Sequence, residues 1–104
     1  MAAGLTIARI REMAGGDYPV IRIMPNTPCA VGQGLTLVAP NDRVTAEELA
    51  DFKALLSASG LLDDLPEHLI DAASAVSGCG PAYAYMFMEA LADGAVKCGV
   101  PRAK

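Results

Sequence analysis

Two short stretches carry polar and glycine residues in places where plain apolar packing would otherwise be expected. Met24-Pro25-Asn26-Thr27-Pro28 sets an Asn-Thr pair between prolines, directly after a β-like run. About fifty residues later, Ser77-Gly78-Cys79-Gly80-Pro81-Ala82-Tyr83 sets two glycines and a proline ahead of a long apolar run. Asn26 and Thr27 offer donors and acceptors to a cofactor or substrate. The glycines allow close backbone approach, and amides at a helix start can hold an anion. Each stretch also has a plainer reading. Two prolines make a rigid turn in which Asn-Thr satisfy local backbone groups, and turn chemistry alone favours that. A short glycine motif equally describes a tight helix–helix junction.

Other chemistry-bearing groups are few. Glu67 opens an alanine-rich helical stretch, with His68 and Asp71 close behind. By position, Glu67 reads as a solvent-facing acid that favours a helix N-terminus. His68 reads as an exposed helix residue and Asp71 as structural. The three cysteines are Cys29, Cys79 and Cys98, and no two form a Cys-x-x-Cys pair. With a single histidine, they leave almost nothing for a transition metal. An odd count without close pairs argues against a disulfide framework and for a reducing cytoplasm. Cys79 is not read as a nucleophile, since no base is in evidence for it.

The elements that must position these residues follow from periodicity. Leu5 to Met13 carries apolar residues at helical spacing and ends at Gly15-Gly16-Asp17. Val20 to Met24 is β-branched and apolar almost throughout, which suits a strand buried on both faces of a parallel sheet. Pro25 should end it. Leu35 to Ala39 is a second strand. Thr45-Ala46-Glu47-Glu48 is a capping box for a helix presenting Leu49, Phe52, Leu55 and Leu56 and ending near Gly60. Leu61-Leu62 is a third short strand candidate. Beyond Leu65-Pro66 everything reads as helix, with Pro81 as the first residue of the last one. That helix is apolar nearly all round from Ala82 to Met88, so other helices must cover it. The order reads as α/β followed by all-α, with a boundary near Leu65 that divides the chain into 1–65 and 66–104.

Composition narrows the function classes. Apolar residues make up 53 % and charged residues 19 %, so a core and a large buried interface are both expected. The net charge of −4, with no basic stripe, argues against nucleic acid and against anionic membranes. Arg9, Arg11 and Glu12 lie inside the first helix, which does not read as a secretory signal. The longest apolar stretch, Pro81 to Met88, is far short of the ~20 residues needed to span a bilayer.

With Glu89-Ala90-Leu91-Ala92-Asp93-Gly94 following, the two motifs at this spacing resemble pyrroline-5-carboxylate reductase, over essentially the whole chain. The resemblance implies the trailing part of a Rossmann-like dinucleotide-binding domain joined to the first helices of a helical dimerisation domain. It implies hydride transfer from NADPH or NADH to the C=N carbon of 1-pyrroline-5-carboxylate, giving L-proline, in a homodimer or larger homo-oligomer. It places Ala2, Ala3, Pro25, Asn26 and Thr27 beside the nicotinamide end of the cofactor. It places Glu67, Ser77, Gly78, Cys79 and Gly80 at the substrate, with Glu67 near the cationic ring nitrogen as the catalytic candidate. The family usually has serine where this chain has Cys79, and a thiol is the weaker donor. No Gly-x-Gly-x-x-Gly loop occurs in the chain, and the later helical loop for the substrate carboxylate is also missing. The chain is therefore expected to be the middle of such an enzyme, inactive alone, with Met1 at a normally internal position. A related reductase of another imine or carbonyl, and a non-catalytic oligomerisation piece or gene remnant, are the other readings.

Overall fold

The computed structural model describes residues 4–104. Helix α1 (Ile7–Ala14) leads into strand β1 (Ile21–Pro25), a 3-10 turn (Thr27–Val31) and strand β2 (Gly34–Pro40). Helix α2 (Ala46–Leu56) then returns the chain to β3 (Gly60–Asp64). Helices α3 (Ile70–Ser77) and α4 (Gly80–Lys97) complete it. The strands form one sheet in the order β1-β2-β3.

The pairing directions differ across the sheet. β2 and β3 are parallel, with Gly34 opposite Gly60 and Val38 opposite Asp64, and α2 supplies the crossover. β1 pairs with β2 antiparallel, Ile21 opposite Pro40 and Pro25 opposite Thr36. The expectation of a parallel strand buried on both faces is corrected here: β1 ends the sheet among the described residues, and its one buried residue is Arg22. Pro25 sits at the strand's end, where a missing N–H costs the ladder least.

The core gathers around the middle strand. Leu37, Val38 and Ala39 of β2 are buried, and Ile70 of α3 packs onto that strand with no exposed surface. Gly34 begins β2 against the preceding turn, because a Cβ there would lie 2.6 Å from the Cys29 Cα. Thr45 caps α2 as its sequence predicts: its hydroxyl accepts from the Glu48 amide, and Glu48 reaches back to the Thr45 amide at 2.8 Å. Asn41 closes the other end of the β1–β2 pair, accepting from the Val20 amide at 3.1 Å and donating to the Tyr18 carbonyl at 2.9 Å. After Asp64 there is only helix. α4 begins one residue earlier than expected, at Gly80, and none of its residues is buried.

Candidate functional site

The fold brings the two sequence motifs together. The 3-10 turn after β1 and the junction between α3 and α4 form the two walls of a cleft of about 440 Å³. Thr27, Pro28 and Val31 line one wall, and Gly78, Pro81 and Tyr85 the other. Proline is the second residue of both helical elements, within the first turn, where its missing N–H removes nothing from the helix. The lining is mostly apolar, with the exposed Thr27 and Tyr85 as its hydroxyl-bearing side chains.

Asn26 ties the walls to one another. Its Oδ1 accepts from the Leu35 amide at 2.9 Å, and its Nδ2 donates to the Ser77 carbonyl at 3.0 Å. Its own amide donates to the Leu35 carbonyl at 3.2 Å. The side chain is thus committed to the fold at both ends, as the rigid-turn reading has it. The Ser77 hydroxyl is buried and has no hydrogen-bond partner among the described residues. Gly78 stacks closely on the preceding turn: a Cβ there would lie 2.8 Å from the Ser74 carbonyl oxygen. Gly80 faces open space and Cys79 is exposed, so neither is held by packing.

Glu67 stands elsewhere. It opens the helical segment at the far end of α3, about 15 Å along the helix direction from Ser77. It is not the free surface acid that its position suggested. Its Oε1 accepts from the Ile7 amide at 2.7 Å, and the Arg22 guanidinium donates to the same oxygen at 3.4 Å. Asp71, one turn on, accepts from the other arm of Arg22 at 2.8 Å. Sequence reasoning missed Arg22, a lone charge inside an apolar strand. Two acids four residues apart, Glu67 in the 3-10 turn before α3 and Asp71 in its first turn, were the available signal for its partner.

Thr27 and Gly78 of the predicted site therefore line one cleft, and Pro25, Asn26, Ser77, Cys79 and Gly80 flank it. Glu67 is separated from them. Ala2 and Ala3 lie outside the described residues. The cleft suits a flat, largely apolar ring with one polar edge near Thr27. No group of His, Cys, Asp and Glu able to hold a metal ion occurs among the described residues. No helix described is long and apolar enough to cross a membrane.

Comparison with known proteins covers both halves of the chain. Residues 67–104 match the family model for pyrroline-5-carboxylate reductase dimerisation. A pyrroline-5-carboxylate reductase from Synechocystis is 48 % identical over 97 % of this chain. The solved 1-pyrroline-5-carboxylate reductase from Streptococcus pyogenes superposes with a TM-score of 0.90 at 39 % identity, over 99 % of this chain. The pyrroline carboxylate reductase from Plasmodium falciparum, solved with NADP bound, gives 0.86 at 38 % identity over 96 % of this chain. The chain spans only 38 % of the Synechocystis protein, and 40 % of each of the two solved chains. The fold is that of the end of a Rossmann-like domain followed by part of a helical dimerisation region.

Proposed function

We propose, from the membership of this sequence in the pyrroline-5-carboxylate reductase family, that the chain supplies the central part of an enzyme reducing 1-pyrroline-5-carboxylate to L-proline. NADPH or NADH, when bound, supplies the hydride that adds to the C=N carbon. Residues 1–65 serve the dinucleotide side and residues 66–104 the substrate and dimer side, with the protein in the cytoplasm. The observation that carries this reading is the convergence of two distant motifs on one cleft, with Asn26 bonded to the Ser77 carbonyl.

The roles follow from what each group can do. Pro25 and the Asn26-Thr27 backbone present a rigid edge to the nicotinamide ring, and Thr27 has the free hydroxyl for its polar side. The unpartnered Ser77 hydroxyl, the backbone of Gly78, Cys79 and Gly80, and the start of α4 face the substrate carboxylate. These groups position the imine carbon, which is most of what a protein contributes to hydride transfer. Glu67 stands about 15 Å along the helix from Ser77, too far to reach the imine of a substrate held there, so its part in this reading is to hold the Ile7 amide and Arg22. A second copy of the protein covers α4, whose residues are unburied in one chain.

The test is a graft. This chain replaces the matching segment of the Synechocystis relative, and NADPH oxidation is followed with 1-pyrroline-5-carboxylate. A folded graft should turn over the substrate, and the chain alone should not. A soluble, folded graft without activity would refute the reading.

A further inference from the structure

Strand β1 holds helix α3 at both of its ends. Near the start of the strand, Arg22 is buried, with 7 % of its surface exposed. One arm of its guanidinium donates to Asp71 at 2.8 Å and the other to Glu67 at 3.4 Å. Just beyond the end of the strand, Asn26 donates to the Ser77 carbonyl at 3.0 Å. Ile70, next to Asp71 at the Arg22 end, is the only fully buried residue of α3, while Ala73 and Ser74 are half-buried. Full apolar burial therefore pins only the first turn of the helix, and the angle of the rest depends on its polar attachments.

We propose that Arg22 is a positioning residue for the cleft: by gripping the first turn of α3 it sets where the last turn, and with it Gly78, stands relative to Thr27. Arg22 lines neither wall. It acts through the helix, and the assignment rests on the reductase reading of the cleft. A buried apolar side chain would hold α3 to the sheet equally closely but would let it slide. A planar fork bonded to carboxylates on successive turns defines both height and angle. The Glu67 oxygen that Arg22 reaches also accepts the Ile7 amide at 2.7 Å. The start of α1, β1 and the helical segment thus meet at a single atom. A displacement of the order of 1 Å at a reacting centre costs about a hundred-fold in rate, so a device of this kind matters to catalysis.

The test compares Arg22→Met and Arg22→Lys with the parent graft, well below each protein's unfolding midpoint. Two readouts are taken: kcat and KM, and hydrogen exchange of the peptides around Ile7 and around Ser77 to Ala82. Arg22→Met should lower kcat about ten-fold or more with little change in KM for NADPH, by the misplacement argument. Exchange should quicken in both peptides, and Arg22→Lys should recover part of each loss. Parental kcat and exchange in Arg22→Met would overturn the proposal. Should Arg22→Met fail to fold, Arg22→Lys decides: a point charge reaches one carboxylate where the fork reaches two, so parental values there would overturn it. If the parent graft is folded but inactive, the reductase reading fails. The exchange readout then decides the clamp alone, and unchanged exchange in Arg22→Met overturns it.

Discussion

At the residue scale, Asn26 shows how a fold can claim a polar side chain that also borders a site. Its amide is half-buried, with one end accepting from Leu35 and the other donating to Ser77. Aspartate has nearly the same shape but no N–H. Asn26→Asp would keep the bond from Leu35 and set a carboxylate oxygen against the Ser77 carbonyl. The loss of a part-buried bond, with an acceptor left facing an acceptor, should cost about 1–3 kcal/mol. A urea melt of the grafted protein measures this, and an unchanged midpoint would show that the bridge contributes nothing. The turn role of Asn26 was legible, because Pro-Asn-Thr-Pro describes a rigid turn with local side-chain bonding. The pairing of Glu67 was not. A helix-opening acid has the same local sequence whether it faces water or a buried arginine forty-five residues earlier in the chain, and only the tertiary fold distinguishes the two.

At the element scale, α2 is the most self-sufficient piece. Both bonds of its capping box form, and Glu48 also accepts from the Thr45 hydroxyl at 3.0 Å. The backbone bond from Thr45, and then its hydroxyl, hold the Glu48 carboxyl below the usual carboxylate range. A carboxyl whose pKa is lower in the folded state stabilises that state fully above its unfolded pKa, near 4.3. The contribution is lost as pH falls through the depressed folded value. Thr45→Ala removes the hydroxyl that caps the helix and holds Glu48, and should destabilise the protein at neutral pH. Its difference from the parent should shrink in acid, once Glu48 is protonated in both. Thermal melts of the two proteins at neutral and acid pH check this, and a difference that grows in acid would contradict the assignment. Four local signals made α2 legible: the cap, the apolar face, the acids at its start and the closing glycine. β1 lacked any such signal for its direction. An apolar run fits a parallel or an antiparallel partner, and the run Val20 to Met24 suggested a parallel sheet. The connecting segment 26–33 was the better guide. A parallel crossover needs a dozen or more residues, so a link that short could only reverse the chain.

At the scale of the whole molecule, the described chain measures 63 × 25 × 18 Å, with a radius of gyration of 18.5 Å. A compact domain of this length would have about 13 Å. The excess comes from the helical end. α4 runs 18 residues, roughly 27 Å, and buries none of them. Tyr83, Met86, Phe87 and Leu91 are each more than half exposed. A helix whose first half, Ala82 to Met88, has no polar face cannot stand in water as its resting state, and a second copy of the same helix is the cover that needs no further component. The purified chain should run as a dimer or larger species by light scattering at micromolar concentration. Phe87→Lys with Leu91→Lys should shift it towards monomer. A monodisperse monomer of the parent chain would refute self-association. The same variant in the graft links assembly to chemistry. Phe87 and Leu91 do not line the cleft, whereas Pro81, Ala82 and Tyr85 on the first turns of α4 do. If a partner copy holds α4 in place, separating the subunits should loosen that wall. Activity should then fall in the double variant and recover as protein concentration drives reassembly. Activity that is full in the monomer and independent of concentration would show that one chain orders its cleft unaided.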